Sequence, residues 1–307
     1  MFGDPIVIVL WALAPAAIVF GLSFLPARFP LNIGPSNDQP WGCRAVSLVL
    51  LFALGAPFVV WFPSSIRILA HFFERRPWLF QGLLFILQGI PVIPVTMLFR
   101  RYNGLFLRTV GLTRDRAIYL GAVAAATYFM LVFLRSALRH FSGEGWTGLY
   151  TNTLYGPDFY RWPLSHALVL VAFSLVAGGV EELVFRGVAL IPIARVLGPT
   201  GGIVVTALLW SMSHFDFART LATFPLGLFL GWLFYRTGSL VPSITFHVLA
   251  NLGAGSDLVF GRLRAAGVHW TSAQHFHYVG LGSLGVALCC ATMALLARQN
   301  TRPEHRT

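Results

Sequence analysis

Long uncharged stretches follow one another along nearly the whole chain, at residues 5–26, 45–62, 78–99, 117–134, 163–180, 201–213, 220–235, 237–256 and 276–297. A helix that crosses the ~30 Å hydrocarbon core needs about 20 mostly apolar residues, and several of these runs reach that length. No strict alternation of apolar and polar positions marks a strand, and unpaired backbone groups are costly in hydrocarbon. The pattern therefore predicts an all-α fold, a polytopic transmembrane helical bundle of about eight or nine spans with a polar intramembrane cavity. The runs between 198 and 256 are short and close together. Very tight turns are expected there, with polar ends such as His214 to Arg219 and Arg236 extending the helices, or with one run re-entrant. The first run begins after Asp4 with no basic residues ahead of it, so it is expected to be a span and not a cleaved signal. Without repeats, linkers or low-complexity segments, a single membrane domain over 1–307 is the expectation.

Composition agrees with this pattern. Hydrophobic residues make up 56% of the chain and charged residues 11%, with a mean hydropathy of +0.72, whereas soluble domains average about 25% charged. The formal net charge is +11, and all 22 basic residues are Arg. A basic balance can mean nucleic acid, but here the arginines sit mainly between apolar runs. That is the loop bias of membrane proteins, so the expected partner is the lipid bilayer and no nucleic acid. Arg100, Arg101, Arg108, Arg114 and Arg116 mark residues 99–116 as a cytoplasmic loop. Counting spans from it puts the N-terminus outside and the tail inside; Arg67, Arg75 and Arg76 run against that parity. Cys43, Cys289 and Cys290 have neither metal nor disulfide spacing and are expected to be apolar fillers.

The chemistry is concentrated in three of the runs. Residues 163–194 would span about 48 Å as one straight helix, so the helix is expected to tilt, bend or end near Gly187. It contains Glu181, Glu182 and Arg186. Each charge near the bilayer centre costs about 2.5–3.5 kcal/mol on insertion scales, so partners are expected. Glu182 and Arg186 are four residues apart and share a helix face. Glu181 points about 100° away, onto a face without that partner, where an apolar setting would suit it to general acid or base work. The same glutamates would also fit a helix end in headgroup water. The next run carries His214, one turn after Trp210, and the third carries His247 and Asn251, four apart on one face. Singly, each fits a structural hydrogen bond. As a set they are expected to converge on one wet cavity.

EELVFR as EExxxR, WSMSH as an aromatic-xxx-His and HVLAN as HxxxN resemble, in order, the three motifs of the CPBP family of membrane proteases, which includes the type II CAAX prenyl endopeptidases. RTGSLVPSITFH, leading into the third motif, is also similar to the family. The resemblance covers residues 163–254, so the core spans are taken as 163–256. Trp210 stands where Phe is usual in the family, a change expected to alter only packing.

The resemblance implies an intramembrane endopeptidase acting on a membrane-associated or lipid-anchored protein or peptide, in a multi-pass setting such as the bacterial inner membrane. It implies that Glu181 with His214 activates water, that His247 and Asn251 hold the oxyanion, and that Glu182 and Arg186 position the site. No cofactor is expected on this reading. By ligand type, Glu181, His214 and His247 would also suit zinc, although no HExxH is present. His269, His275 and His277 have no carboxylate beside them and are read as a solvated loop. Two further readings use the same polar residues, a membrane transporter and a non-catalytic scaffold. Selectivity is expected in the unmatched first half, including the Arg-rich loop and the polar segment 140–163.

Overall fold

The computed structural model describes residues 117–142, 163–214 and 217–300, with Arg161 and isolated positions between 75 and 97. The runs expected at 5–26 and 45–62, most of 78–99, the arginine loop at 99–116, all but Arg75 and Arg76 of the one at 66–77 and most of the 140–163 segment lie outside the described residues. The described residues are helical and contain no strand. They carry three helical stretches long and apolar enough to cross a membrane, Ala117–Phe141, Leu164–Met212 and Ser272–Arg298.

Helix α1, Ala117–Ser142, is rich in Ala, Leu, Val and Phe. Its small buried residues Ala122 and Ala124 let neighbouring helices approach. Pro163, with ψ of 135°, is extended and leads directly into α2, Leu164–Glu182. The helix does not end near Gly187. It continues through a π-helical stretch, Leu183–Leu190, into α3, Ile191–Met212. The reversal comes instead at Gly198, whose φ of 75° favours glycine, followed by Pro199, which starts the next helical half of α3. Gly202 then lies against Ala194, where an added Cβ would come within 2.6 Å of the Ala194 Cβ.

Helix α4, Phe217–Thr237, stops at Gly238, with φ of 64° and its N–H donating to Phe234 O at 2.8 Å. The next residue, Ser239, caps α5, Leu240–Ala265, by accepting from the Val241 N–H. Two residues thus join two helices. A capping box of Thr271 and Gln274 starts the short α6, Ser272–His275. A second π-helical stretch, Phe276–Leu281, leads on into α7, Gly282–Asn300. His275 and His277 are therefore helical and not in a loop as expected, although His269 and His277 remain exposed.

Helix α1 packs along α7 and α5, α3 along α4, and α5 along α2. Phe185, Leu190, Trp210, Leu230, Phe234 and Leu240 are fully buried between them. Leu168 and Val176 of α2 and Leu288, Leu295 and Leu296 of α7 are exposed apolar residues facing outward, as expected where the surrounding medium is lipid. Hydroxyls inside the helices bond back to their own turns, such as Thr206 to Gly202 O. Ser243 donates across to Leu230 O at 3.0 Å, tying α5 to α4.

Candidate active site

The carboxylates sit where α2 passes into its π-helical continuation. The last exposed residue of α2 is Val176; from Ala177 to Leu190 only Gly179 and Leu183 are even partly exposed, and Val184 to Leu190 are buried without interruption. Glu182 and Arg186 are fully buried, and Arg186 Nη1 donates to Glu182 Oε1 at 2.8 Å. Arg186 Nη2 donates to the Gly227 carbonyl of α4 at 3.0 Å. Two charges at zero exposure persist only when paired and hydrogen-bonded. Among the described residues, Glu182 Oε2 and Arg186 Nε have no hydrogen-bond partner.

His247 joins this pair from α5. Its Nδ1 lies 2.8 Å from Glu182 Oε1, and since a carboxylate oxygen accepts, Nδ1 carries the proton. Its Nε2 is then directed toward Glu181, 3.8 Å from Oε2. Glu181 keeps 10% of its side chain exposed. Its Oε2 accepts from Trp210 Nε1 at 2.5 Å. The expectation that Glu181 lacks a partner is therefore corrected, because its partner is an indole on another helix.

Trp210 thus does more than pack. Arg186 lies 4.8 Å over its ring, and His247 and His214 meet it edge-on at 5.2 and 5.5 Å. One turn further along α3, His214 Nδ1 lies 3.1 Å from Trp210 O and 3.2 Å from Ser211 O. Carbonyls only accept, so Nδ1 is the protonated nitrogen and the ring lone pair falls on Nε2.

Asn251, one turn after His247, donates from Nδ2 to Ser174 O of α2 at 2.8 Å. Gly178 makes this contact geometrically accessible. A Cβ there would come 3.0 Å from Asn251 Nδ2 and 3.3 Å from His247 Cδ2. The structure therefore brings Glu181, Glu182, Arg186 and His247 into one cluster, with Asn251 on the adjoining seam and His214 joined through Trp210. Trp210, Gly178 and the Gly227 and Ser174 carbonyls were not among the candidate residues. Of these, only Trp210 carried a usable signal, since a buried indole N–H requires an acceptor. Among the described residues, no three of His, Cys, Asp and Glu are grouped as metal ligands.

Fold and site together define a helical protein with apolar stretches long enough to cross a membrane and a buried acid, imidazole and amide cluster drawn from α2, α3 and α5. Residues 163–253 match the family model of the type II CAAX prenyl endopeptidase Rce1-like proteins. The match runs from the start of α2 to the middle of α5 and contains every candidate site residue. The matched segment is an Rce1-like domain, a family that supports a CAAX-type endopeptidase in general terms, and the three long apolar helical stretches suggest an integral membrane protein. No curated protein and no solved structure matches the chain.

Proposed function

We propose that this protein hydrolyses a peptide bond of a membrane-associated or lipid-anchored protein or peptide through a water activated by Glu181 and His214, without a metal. The observation that carries the proposal is the contrast between the two adjacent glutamates. Glu182 is fully buried and saturated on Oε1 by Arg186 and His247, whereas Glu181 keeps an exposed edge. A buried, neutralised carboxylate positions its neighbours; a carboxylate that keeps some exposure can take a proton from water. His214, protonated on Nδ1, has its basic nitrogen at Nε2 and can share that proton.

The developing oxyanion needs preorganised donors. Asn251 has two amide N–H groups, and the one given to Ser174 O fixes the plane of the other. His247 donates from Nε2 only as the doubly protonated ring. In that form Glu181 and Glu182 are balanced by Arg186 and His247, so the cluster is neutral in a low-dielectric setting. A multi-pass position in a bacterial inner membrane belongs to the same proposal.

The test uses purified protein in lipid vesicles with a lipid-anchored CAAX-type peptide and a membrane-tethered peptide lacking the anchor, products being read by mass spectrometry. Glu181→Gln should reduce cleavage by about 10²–10⁴-fold while expression and thermal stability persist. A Glu181→Gln variant that still cuts at the wild-type rate removes Glu181 from the base role.

A further inference from the structure

Trp210 is the largest fully buried side chain among the described residues, and it is surrounded by the polar groups of the site. Its Nε1–H donates to Glu181 Oε2. The Arg186 guanidinium covers its face, and His247 and His214 stand at its edges. A phenyl ring would preserve most of these face and edge contacts. It would offer no N–H, so the indole differs from a phenyl ring chemically at the one position that touches Glu181.

That contact settles which oxygen of Glu181 is available. Both polar contacts of the carboxylate are made by Oε2, with Trp210 Nε1 at 2.5 Å and His247 Nε2 at 3.8 Å. Among the described residues Oε1 accepts no hydrogen bond, and the side chain keeps its exposed edge. A carboxylate with one oxygen held by a buried donor cannot turn freely about its last bond. A cation over the indole face draws electron density from the ring and strengthens the N–H as a donor. The other charged or titratable groups around Glu181 are Glu182 and Arg186 on its own helical rod, His247 on α5 and His214 on α3.

We propose that Trp210 is a positioning residue for hydrolysis: its indole N–H clamps Glu181 Oε2 and thereby presents Oε1 to the water. The inference rests on the reading of Glu181 as the base. It also gives the departure from the usual Phe a chemical consequence, since this chain holds its base with a hydrogen bond that a Phe side chain cannot make. Near-attack geometry is sensitive to small displacements, so loss of the clamp should appear in turnover and not in substrate capture.

The experiment replaces Trp210 with β-(3-benzothienyl)alanine, which keeps the bicyclic shape but has sulfur in place of N–H, and in parallel with Phe. Both are assayed for kcat and KM on a membrane-tethered peptide in vesicles, beside Glu181→Gln. Both replacements should lower kcat about tenfold or more, the size expected for a hydrogen bond to a charged group, with KM within about twofold. Infrared difference spectra against Glu181→Gln should show the Glu181 carboxylate bands shifted by the sulfur isostere. A benzothienyl variant with wild-type or higher kcat overturns the proposal, as does loss with Phe alone, which would assign the effect to packing. If Glu181→Gln still cuts, the base reading fails instead. The infrared bands then decide the clamp separately, and their not moving would overturn it.

Discussion

Arg186→Met tests whether the buried ion pair holds the site in the way the geometry requires. The substitution keeps a long flexible side chain but removes the guanidinium, and with it the 2.8 Å bond to Glu182 and the 3.0 Å bond to Gly227 O. It also removes the cation over Trp210. Hydrogen bonds to charged groups contribute about 1.5–3 kcal/mol each, so two of them suggest a loss of about 3–6 kcal/mol. Breaking one partner of a buried pair typically destabilises by about 3–5 kcal/mol, because the other charge is left uncompensated. The two approaches agree. Both side chains are at zero exposure, so solvent screening does not reduce the figure. At about 2–4 °C per kcal/mol for a chain of this order of size, the Tm in mild detergent should fall by on the order of 10 °C.

The decisive comparison is the double variant. Adding Glu182→Gln removes the orphaned charge while leaving an amide oxygen that can still accept from His247 Nδ1. If charge burial is the cause, Arg186→Met/Glu182→Gln should regain at least half of the lost stability, a strong departure from additivity. The reasoning is refuted if Arg186→Met melts within about 1 kcal/mol of wild type, or if the double variant simply sums the two single losses.

Three further outcomes follow from the same geometry. Gly178→Ala places a methyl 3.0 Å from Asn251 Nδ2 and 3.3 Å from His247 Cδ2; it should destabilise by about 1–3 kcal/mol and depress turnover more than substrate affinity, measured as kcat against KM. Prolonged dialysis against a strong zinc chelator should leave cleavage unchanged, whereas loss restored by added zinc would revive Glu181, His214 and His247 as a ligand set. Ser243→Ala should lower stability by about 0.5–1.5 kcal/mol through loss of the bond to Leu230 O, with cleavage retained, read from parallel melting and activity assays.

Contacts made within one helix were legible from spacing alone. Glu182 and Arg186, four apart, form the expected pair, and His247 and Asn251, four apart, both face α2. Contacts between helices were not legible, because residue spacing within a helix says nothing about which foreign side chain will oppose it. Glu181 and Trp210 are separated by 29 positions, and the pitch of α2 alone suggested an unpartnered acid. The tight approach at Gly178 is of the same kind, visible only once α5 lies against α2. The tight turn at Gly238 and Ser239 could be expected from the crowding of apolar runs, but the reversal at Gly198 could not be told from one near Gly187.

The π-helical stretch explains why that boundary misled. A helix on a bundle surface alternates inward and outward residues with its pitch, and α2 does so, burying Ala167, Leu170, Ser174 and Ala177 while exposing Leu168 and Val176. From Val184 onward every side chain to Leu190 is buried, so no hydrophobic period is there to set against the length argument that puts a break near Gly187. Wider π turns recur at functional positions in helices, and here the widening begins directly after the two glutamates. The acids therefore stand just inside the enclosed region, which the rod enters after Val176. Glu182, the inner one, is sealed against Arg186 and His247; Glu181 retains an exposed edge. A single residue of register separates the two environments, so the same pair of adjacent carboxylates acquires one structural and one chemically accessible member without any difference in side-chain type.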